Sequence, residues 1–124
     1  PLLHGEDPPD WRDFSYSELD YSWRQARLTL GKRVDRCRAF SLRSERWRYV
    51  YWLDEPEQLF DLQADPEEFH DRGRDPATAA VRAQMREQLL AFLAARRHRT
   101  TVTDAQTEAG TAAHKRAGVY YGQW

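Results

Sequence analysis

The sequence has little cysteine, no long hydrophobic run and no excess of charge of one sign. Its 124 residues include a single cysteine, Cys37, which excludes an internal disulfide framework and predicts a reducing, cytoplasmic location. No apolar run approaches the roughly 20 residues that a transmembrane helix needs. The 19 basic and 20 acidic residues nearly cancel, so no global field would attract nucleic acid or an anionic membrane. We therefore expect neither of them as a partner.

Glycine is also scarce, with 6 scattered copies, so a phosphate-cradling loop is not indicated. The opening residues 1–7 have neither the basic nor the apolar region of a secretory leader. They also lack an initial methionine, and we expect the chain to be a piece of a longer protein. In contrast, the chain has 5 tryptophans and 6 tyrosines, and their rings have more amphipathic surface than a core of this size can easily bury. Such rings are often found at protein interfaces.

Alternating apolar residues and turn residues predict a small antiparallel sheet of about four strands. Residues 1–13, which include Asp7-Pro8-Pro9-Asp10, are expected to form an irregular lead-in because proline cannot join a helix interior or a central strand. Residues 22–33 show no clean period and are expected to be a loop with room for a short helix. The turn at Asp65-Pro66 is expected to end the last strand. The predicted strands are residues 14–21, 36–43, 47–53 and 57–62.

A helix is predicted over residues 75–97. Asp75 is a favoured N-cap residue, and Pro76 suits the first helical position. Cations gather near the expected C-terminus, where the helix dipole favours them, at Arg96, Arg97 and His98. The apolar stripe of this helix comprises Val81, Met85, Leu89, Phe92 and Leu93.

A second helix is predicted from Thr103, which forms a capping-box pattern with Gln106, through about Arg116, with Gly118 placed to end it. It belongs to a helical tail extension over residues 99–124. The expected fold is therefore α+β: a small antiparallel sheet of about four strands packed against one C-terminal helix, with a second short helix and a tail.

Several segments carry a resemblance to a known family. In residues 58–68 a short strand runs into an Asp-Pro-Glu turn, residues 37–43 and 47–52 form the hairpin before it, and residues 99–103 and 117–122 form a tail. This order resembles the closing part of sulfatase-like hydrolases of the alkaline phosphatase superfamily, and the tail looks like that of the phosphonate monoester hydrolase branch. The resemblance implies that residues 14–98 are a C-terminal α+β subdomain whose N-terminal catalytic domain is missing.

The resemblance also implies a reaction for the parent enzyme: hydrolysis of a sulfate, phosphate or phosphonate ester with a divalent metal and a formylglycine nucleophile. In that family the nucleophile matures within a Cys/Ser-x-Pro-x-Arg motif. Here Arg38-Ala39-Phe40 follows Cys37, so the required proline is absent. We expect Cys37 to be an inert buried thiol. No catalytic, cofactor-binding or metal-binding residue is assigned, and the isolated chain is expected to be inactive and without a cofactor.

Other polar residues are only weak candidates for a metal site or for acid/base catalysis. His70 follows two glutamates, but no second His or Cys stands at a ligand spacing, and His98 and His114 are expected to be surface cations. Glu18 and Asp20 share a strand face, which permits acid/base work, although a solvated or arginine-paired face is simpler.

Aromatic residues on the third strand suggest the remaining partners. Arg46-Trp47-Arg48-Tyr49 could serve nucleic acid, but the neutral overall charge argues against it. Trp47, Tyr49 and Tyr51 should point to one face and Val50 and Trp52 to the other, and one helix can cover only one face. We expect the other face to contact the missing catalytic domain. Without that domain, several rings from Trp47, Tyr49, Tyr51 and Trp52 should be exposed and support a homo-oligomer. The alternative hypothesis is a free-standing protein–protein interaction module that uses the aromatic sheet face.

Overall fold

The computed structural model describes residues 4–5, 11–96 and 101–111. One antiparallel sheet has the strand order β1-β2-β3-β4, which confirms the predicted α+β class. The chain divides into two compact units, Pro1–Ala94 and Ala95–Trp124. No helix in the described ranges is long and apolar enough to cross a membrane. The elements are β1 (Ser15–Asp20), α1 (Gln25–Thr29), β2 (Arg38–Arg43), β3 (Trp47–Trp52), β4 (Gln58–Asp61), α2 (Ala79–Ala95) and α3 (Asp104–Gly110).

The β2–β3 hairpin is closed by Ser44. Its backbone N–H donates to the carbonyl of Trp47 at 2.8 Å, and its hydroxyl accepts from the N–H of Trp47 at 3.0 Å. The predicted hairpin is confirmed, but β2 begins at Arg38 because Val34–Arg36 forms a 3-10 turn. The short helix considered for the preceding loop is α1.

Strand β4 ends at Asp61, one residue before the predicted limit of residue 62. The chain therefore turns before Asp65-Pro66, which was expected to end the strand. The carbonyl of Asp61 accepts from the N–H groups of Ala64 at 3.1 Å and Asp65 at 2.8 Å, and its carboxylate accepts from Gln63 N–H at 3.3 Å. These bonds start the turn directly after β4, and the Asp65 carboxylate instead accepts from His70 N–H at 2.7 Å.

Helix α2 begins where the sequence predicts. The Asp75 carboxylate accepts from Ala77 N–H at 2.9 Å, and the first turn, Pro76–Thr78, is 3-10 before the α-helix continues. The helix packs its apolar stripe on one face of the sheet, as expected. Phe92 reaches Phe14, with ring centroids 5.5 Å apart. The buried core consists of Leu42, Tyr49, Leu59, Met85 and Leu89, flanked by Tyr16, Phe40, Trp47, Tyr51, Val81 and Leu93.

The segment between β4 and α2 packs against the outer edge of β4. The Asp71 carboxylate accepts from Leu59 N–H at 3.1 Å and from Gly73 N–H at 2.8 Å, and Arg72 N–H donates to the carbonyl of Leu59 at 2.7 Å. A Cβ at Gly73 would lie 2.1 Å from the Glu57 carbonyl oxygen. Only glycine therefore permits this close approach.

Helix α3 has the predicted capping box. The Thr103 hydroxyl accepts from Gln106 N–H at 3.2 Å, and the Gln106 side-chain oxygen accepts from Thr103 N–H at 2.8 Å. The helix ends at Gly110, before the predicted Arg116, because Thr111 adopts an extended conformation with ψ 133°. The predictions for most of the lead-in, for the basic end of the first helix and for residues 112–124 lie outside the described residues; these include Arg97, His98, His114 and Gly118.

Candidate functional site

The sheet face opposite α2, which we call the open face, carries a shallow groove. The strand register aligns Ser17, Ser41, Val50 and Gln58 in one row across the four strands. The short side chains of Ser17, Ser41 and Val50 form the floor. Larger side chains, including Trp52 and Phe60, rise on either side, and the groove has a volume of about 240 Å3.

Polar contacts hold both walls of the groove. On one side, Arg48 Nη1 donates to Glu68 Oε2 at 2.6 Å, and Arg48 Nε lies 3.5 Å from the Ser41 hydroxyl. On the other side, Trp52 Nε1 donates to the Gln58 side-chain oxygen at 2.6 Å. The walls are therefore set in place before any partner binds, which lowers the entropy cost of binding.

The turn that supplies Glu68 is itself tightly held. Glu68 has φ 60°, in the left-handed region that non-glycine residues seldom adopt. Although burial opposes ionisation of Asp65, the N–H groups of His70 and Phe69 hold the pKa of its carboxyl below the usual range. A charged Asp65 thus keeps the turn in the geometry that directs Glu68 toward Arg48.

A second cleft of about 470 Å3 adjoins the groove. Trp52 and Gln58 line both cavities and form the ridge between them. Tyr21, Leu30 and Pro56 give the second cleft an apolar lining, with Asp71 and Arg74 among its polar residues. The open face is therefore continuous with the β1–β2 connection, residues 21–37.

A partly buried polar cluster lies on the other side of the sheet, at α2. Glu57 contacts the Arg86 guanidinium, and Arg82 Nε lies 3.7 Å from Glu57. Burial raises the pKa of Tyr49 to about 12. The pKa of Arg86 is raised chiefly by its contact with the Glu57 carboxylate. Because these charges pair with each other across the α2–sheet contact, their role is to seat the helix.

The sequence candidates for chemistry are not brought together. Cys37 is buried, as expected, and its Sγ donates to the Arg33 carbonyl at 3.2 Å. His70 is exposed, 3.4 Å from Asp65. Within residues 4–5, 11–96 and 101–111, no three His, Cys, Asp or Glu side chains are grouped so that they could hold a metal ion. The divalent metal and formylglycine implied by the resemblance therefore do not fit these residues.

Glu18 and Asp20 have separate local partners. The Tyr16 hydroxyl donates to Glu18 at 3.0 Å, and Ser22 N–H donates to Asp20 at 2.8 Å, which lowers the pKa of the Asp20 carboxyl. Nothing in this arrangement poises one carboxyl as an acid and the other as a base. The open face presents a groove lined by polar and apolar side chains, and its described residues form no assembled catalytic group.

The aromatic strand residues occupy the predicted faces, with one correction. Tyr49 and its neighbours Trp47 and Tyr51 pack with α2, and Val50 and Trp52 lie on the open face. The expectation that Tyr49 would help form an exposed aromatic surface is wrong, because α2 buries its ring completely. It therefore cannot form a stacking platform for nucleic-acid bases.

Sequence reasoning did not predict the exposed apolar residues of the β1–β2 connection. They are Trp23, Leu28, Leu30 and Val34. Four large apolar residues without a helical or strand period were the available signal.

Comparisons with known proteins agree with this fold. Residues 1–95 match the family model described as N-sulphoglucosamine sulphohydrolase, C-terminal. A multifunctional alkaline phosphatase superfamily protein, PehA of Trinickia caryophylli, is 34% identical over 86 residues, which are 65% of this chain and 16% of that protein. A choline-sulfatase of Rhizobium meliloti is 47% identical over 36 residues, or 29% of this chain and 7% of that enzyme.

Two solved structures of phosphonate monoester hydrolases share the fold. The enzyme of Agrobacterium radiobacter superposes with a TM-score of 0.69 at 34% identity, over 76% of this chain and 19% of its own. The enzyme of Silicibacter pomeroyi gives a TM-score of 0.71 at 32% identity, over 86% of this chain and 22% of its own. The chain thus spans about a fifth or less of these relatives. It belongs to the N-sulphoglucosamine sulphohydrolase C-terminal family and is a C-terminal subdomain of the sulfatase-like type.

Proposed function

We propose that the chain is the structural C-terminal part of an enzyme that hydrolyses sulfate, phosphate or phosphonate esters, and that its open face packs against the N-terminal catalytic part. One observation carries the proposal: the whole sheet-and-helix unit matches phosphonate monoester hydrolases at 32 to 34% identity yet covers only 19 to 22% of their length.

The chemistry of such esters supports this division of labour. Negative charge builds on oxygen as the ester bond breaks, and a metal ion with an activated nucleophile stabilises it. The described residues supply neither, so the metal and the formylglycine would reside on the N-terminal part. The present chain would shape the rim of the substrate cleft and stabilise the enzyme.

The groove suits a packed protein segment. Its floor of Ser17, Ser41 and Val50 permits a close approach of another backbone, and Arg48 with Glu68 offers a donor and an acceptor at one wall. Because the arginine and the glutamate pair with each other, neither charge is buried alone when another segment covers the face. This avoids a large desolvation cost.

The first test is an assay of the isolated chain against aryl sulfates and phosphonate monoesters, with metal analysis of the purified protein. We expect no turnover and no bound divalent metal. Turnover that survives purification and is abolished by a chelator would contradict the structural role.

The second test is binding to the N-terminal part of the parent enzyme, produced as a separate chain. We expect the two chains to co-purify. If they do not associate, the free-standing interaction module becomes the better hypothesis, although the small coverage of the relatives does not favour it.

Three finer features remain our proposals from the sequence. The domain limits are residues 14–98 for the subdomain and 99–124 for the tail extension. The aromatic tail residues 119–124, which lie outside the described residues, would support a homo-oligomer. Light scattering on the full chain and on a chain ending at Gly118 tests this oligomer, since loss of the tail should reduce the mass. The single unpaired Cys37 supports a cytoplasmic location.

A further inference from the structure

The β1–β2 connection exposes an unusual amount of apolar surface for its length. Single exposed hydrophobic residues are normal on a soluble protein, whereas a concentration of them marks an interaction site. Between residues 23 and 34, four large side chains are more than half exposed: Trp23 at 75%, Leu28 at 59%, Leu30 at 54% and Val34 at 63%. Helix α1, in the middle of this segment, buries no residue at all.

The connection is nevertheless held in place. Lys32 Nζ donates to the Leu53 carbonyl at 2.8 Å and pairs with Glu55 at 2.9 Å, and Arg36 forms a two-pronged ion pair with Asp54. At the start of the segment, Arg27 Nε donates to the Ser22 carbonyl at 2.6 Å. The apolar side chains are therefore presented on an ordered backbone, which reduces the entropy cost of binding a partner.

Charge defines the chemistry of that partner. Residues 22–37 carry five basic residues and one acidic residue, in a chain whose net charge is -1. Lys32, Arg33 and Arg36 are paired with carboxylates. Arg24 and Arg27 have no ion pair within the part of the chain that the structure describes, and Arg24 lies over the Trp23 ring at 4.6 Å. An apolar partner surface rimmed by carboxylates would complement this arrangement.

We propose that the connection binds an apolar, acid-rimmed surface on the N-terminal catalytic part of the parent enzyme, with Trp23 and Leu28 as anchors. The proposal rests on the proposed function. Leu30 lines the second cleft together with Trp52 and Gln58, which also line the groove, so the connection extends the face already assigned to docking. The relatives are about five times longer than the matched region, so most of the polypeptide is available to cover it.

A second copy of the chain is a poorer occupant. A two-fold contact brings the same surface of both copies together, which would bring together two basic surfaces that each carry Arg24 and Arg27. Such like-charge contact opposes association. A partner of the opposite charge does not meet this repulsion.

The test uses this chain and the separately produced N-terminal part, with affinity measured by calorimetry. Leu28→Glu should weaken binding by about tenfold or more, because it places a charge in an apolar contact. The matched control is Leu90→Glu: Leu90 is 60% exposed, against 59% for Leu28, but lies on α2. It should change the affinity by less than about twofold. Trp23→Ala provides a second anchor variant, and unchanged thermal melts show that each variant folds.

Charge reversal at Arg24 and Arg27 should slow association, more strongly at low salt, with a smaller effect on dissociation. If the wild-type chain binds the N-terminal part and Leu28→Glu binds equally well, the inference is overturned while the proposed function stands. If the wild-type chain does not bind, both fail. Equal losses for Leu28→Glu and Leu90→Glu would also overturn the inference.

Two control measurements identify other occupants. Sedimentation of the chain alone tests a second copy, and co-sedimentation with phosphatidylglycerol vesicles tests an anionic lipid surface. Self-association or vesicle binding that depends on Leu28, together with an unchanged affinity for the N-terminal part, would overturn the inference in favour of that occupant.

Discussion

The two faces of the sheet are built differently. Under α2, the fully buried Leu42, Tyr49 and Leu59 form a continuous row of large side chains across three strands. On the open face, the row through Ser41 and Val50 has smaller side chains, and polar contacts rather than a covering layer hold the walls of the groove. The first face supplies stability through packing. The second is ordered without a cover, as expected of a surface that receives a partner.

The largest expected difference between the two faces is the loss of unfolding free energy when one leucine on each face is truncated. Leu59→Ala should reduce the free energy of unfolding by about 2 to 5 kcal/mol, toward the upper part of the range seen for buried leucines, because the site cannot collapse between sheet and helix. Leu62→Ala, in the cluster of the open face, should cost toward the lower end, about 2 kcal/mol. Denaturant melts measure both. Equal losses would mean that the open face is as much core as the covered face.

The edge of the sheet provides the next test. Gly73→Ala should cost about 1 to 3 kcal/mol, because the new methyl group would force the backbone away from the Glu57 carbonyl. Gly110→Ala is the matched control: a Cβ there meets no atom within 4 Å, so the melting of the sheet unit should not change. A neutral Gly73→Ala would contradict the close approach between this segment and β4.

The covered face also predicts an alkaline sensitivity. Burial raises the pKa of Tyr49 to about 12, above the value of about 10 expected in the unfolded chain. The contribution of its neutral hydroxyl to stability is therefore fully present below pH 10 and is lost as the pH rises toward 12. Tyr49→Phe should lack this loss, as measured by melts from pH 8 to 12. The same alkaline slope in both proteins would exclude Tyr49 as its source.

The smallest effect on stability is expected on the open face itself. Ser17 is exposed in the groove on β1, so Ser17→Arg should change the free energy of unfolding by no more than about 0.5 kcal/mol. The bulky side chain should nevertheless fill the groove and reduce co-purification with the N-terminal part. A variant that unfolds, or one that binds as well as wild type, would contradict this prediction, because the substitution should weaken binding without affecting stability.

Much of the covered face could be predicted from local sequence. Val81, Met85 and Leu89 recur every four residues after Asp75-Pro76, which indicates an amphipathic helix. Alternation in β3 assigns Tyr49 and Val50 to opposite faces. The capping residues at Thr103 and Gln106 likewise act within one turn. Each of these patterns is local, so neighbouring residues suffice to specify it.

The remaining features depend on contacts between distant residues. The sequence predicted that the Asp65-Pro66 turn would end the last strand, but hydrogen bonds to Asp61 turn the chain before that point. The groove arises because the register aligns Ser17 with Ser41 and Ser41 with Val50. No periodicity in residues 22–37 shows which side chains remain exposed, since that depends on what the other strands leave uncovered.

By itself, the sequence determined the α+β class, the amphipathic helix, the absence of the family's nucleophile motif and the likeness to sulfatase-like hydrolases. These follow from spacing along the chain and from residue identity. Only the tertiary structure decided that Tyr49 is enclosed while Trp23 and Leu28 are exposed, and that Arg48 reaches Glu68 across 20 positions of sequence. The reason is physical: exposure and pairing are set by strand register and helix docking, which join residues that local patterns cannot relate.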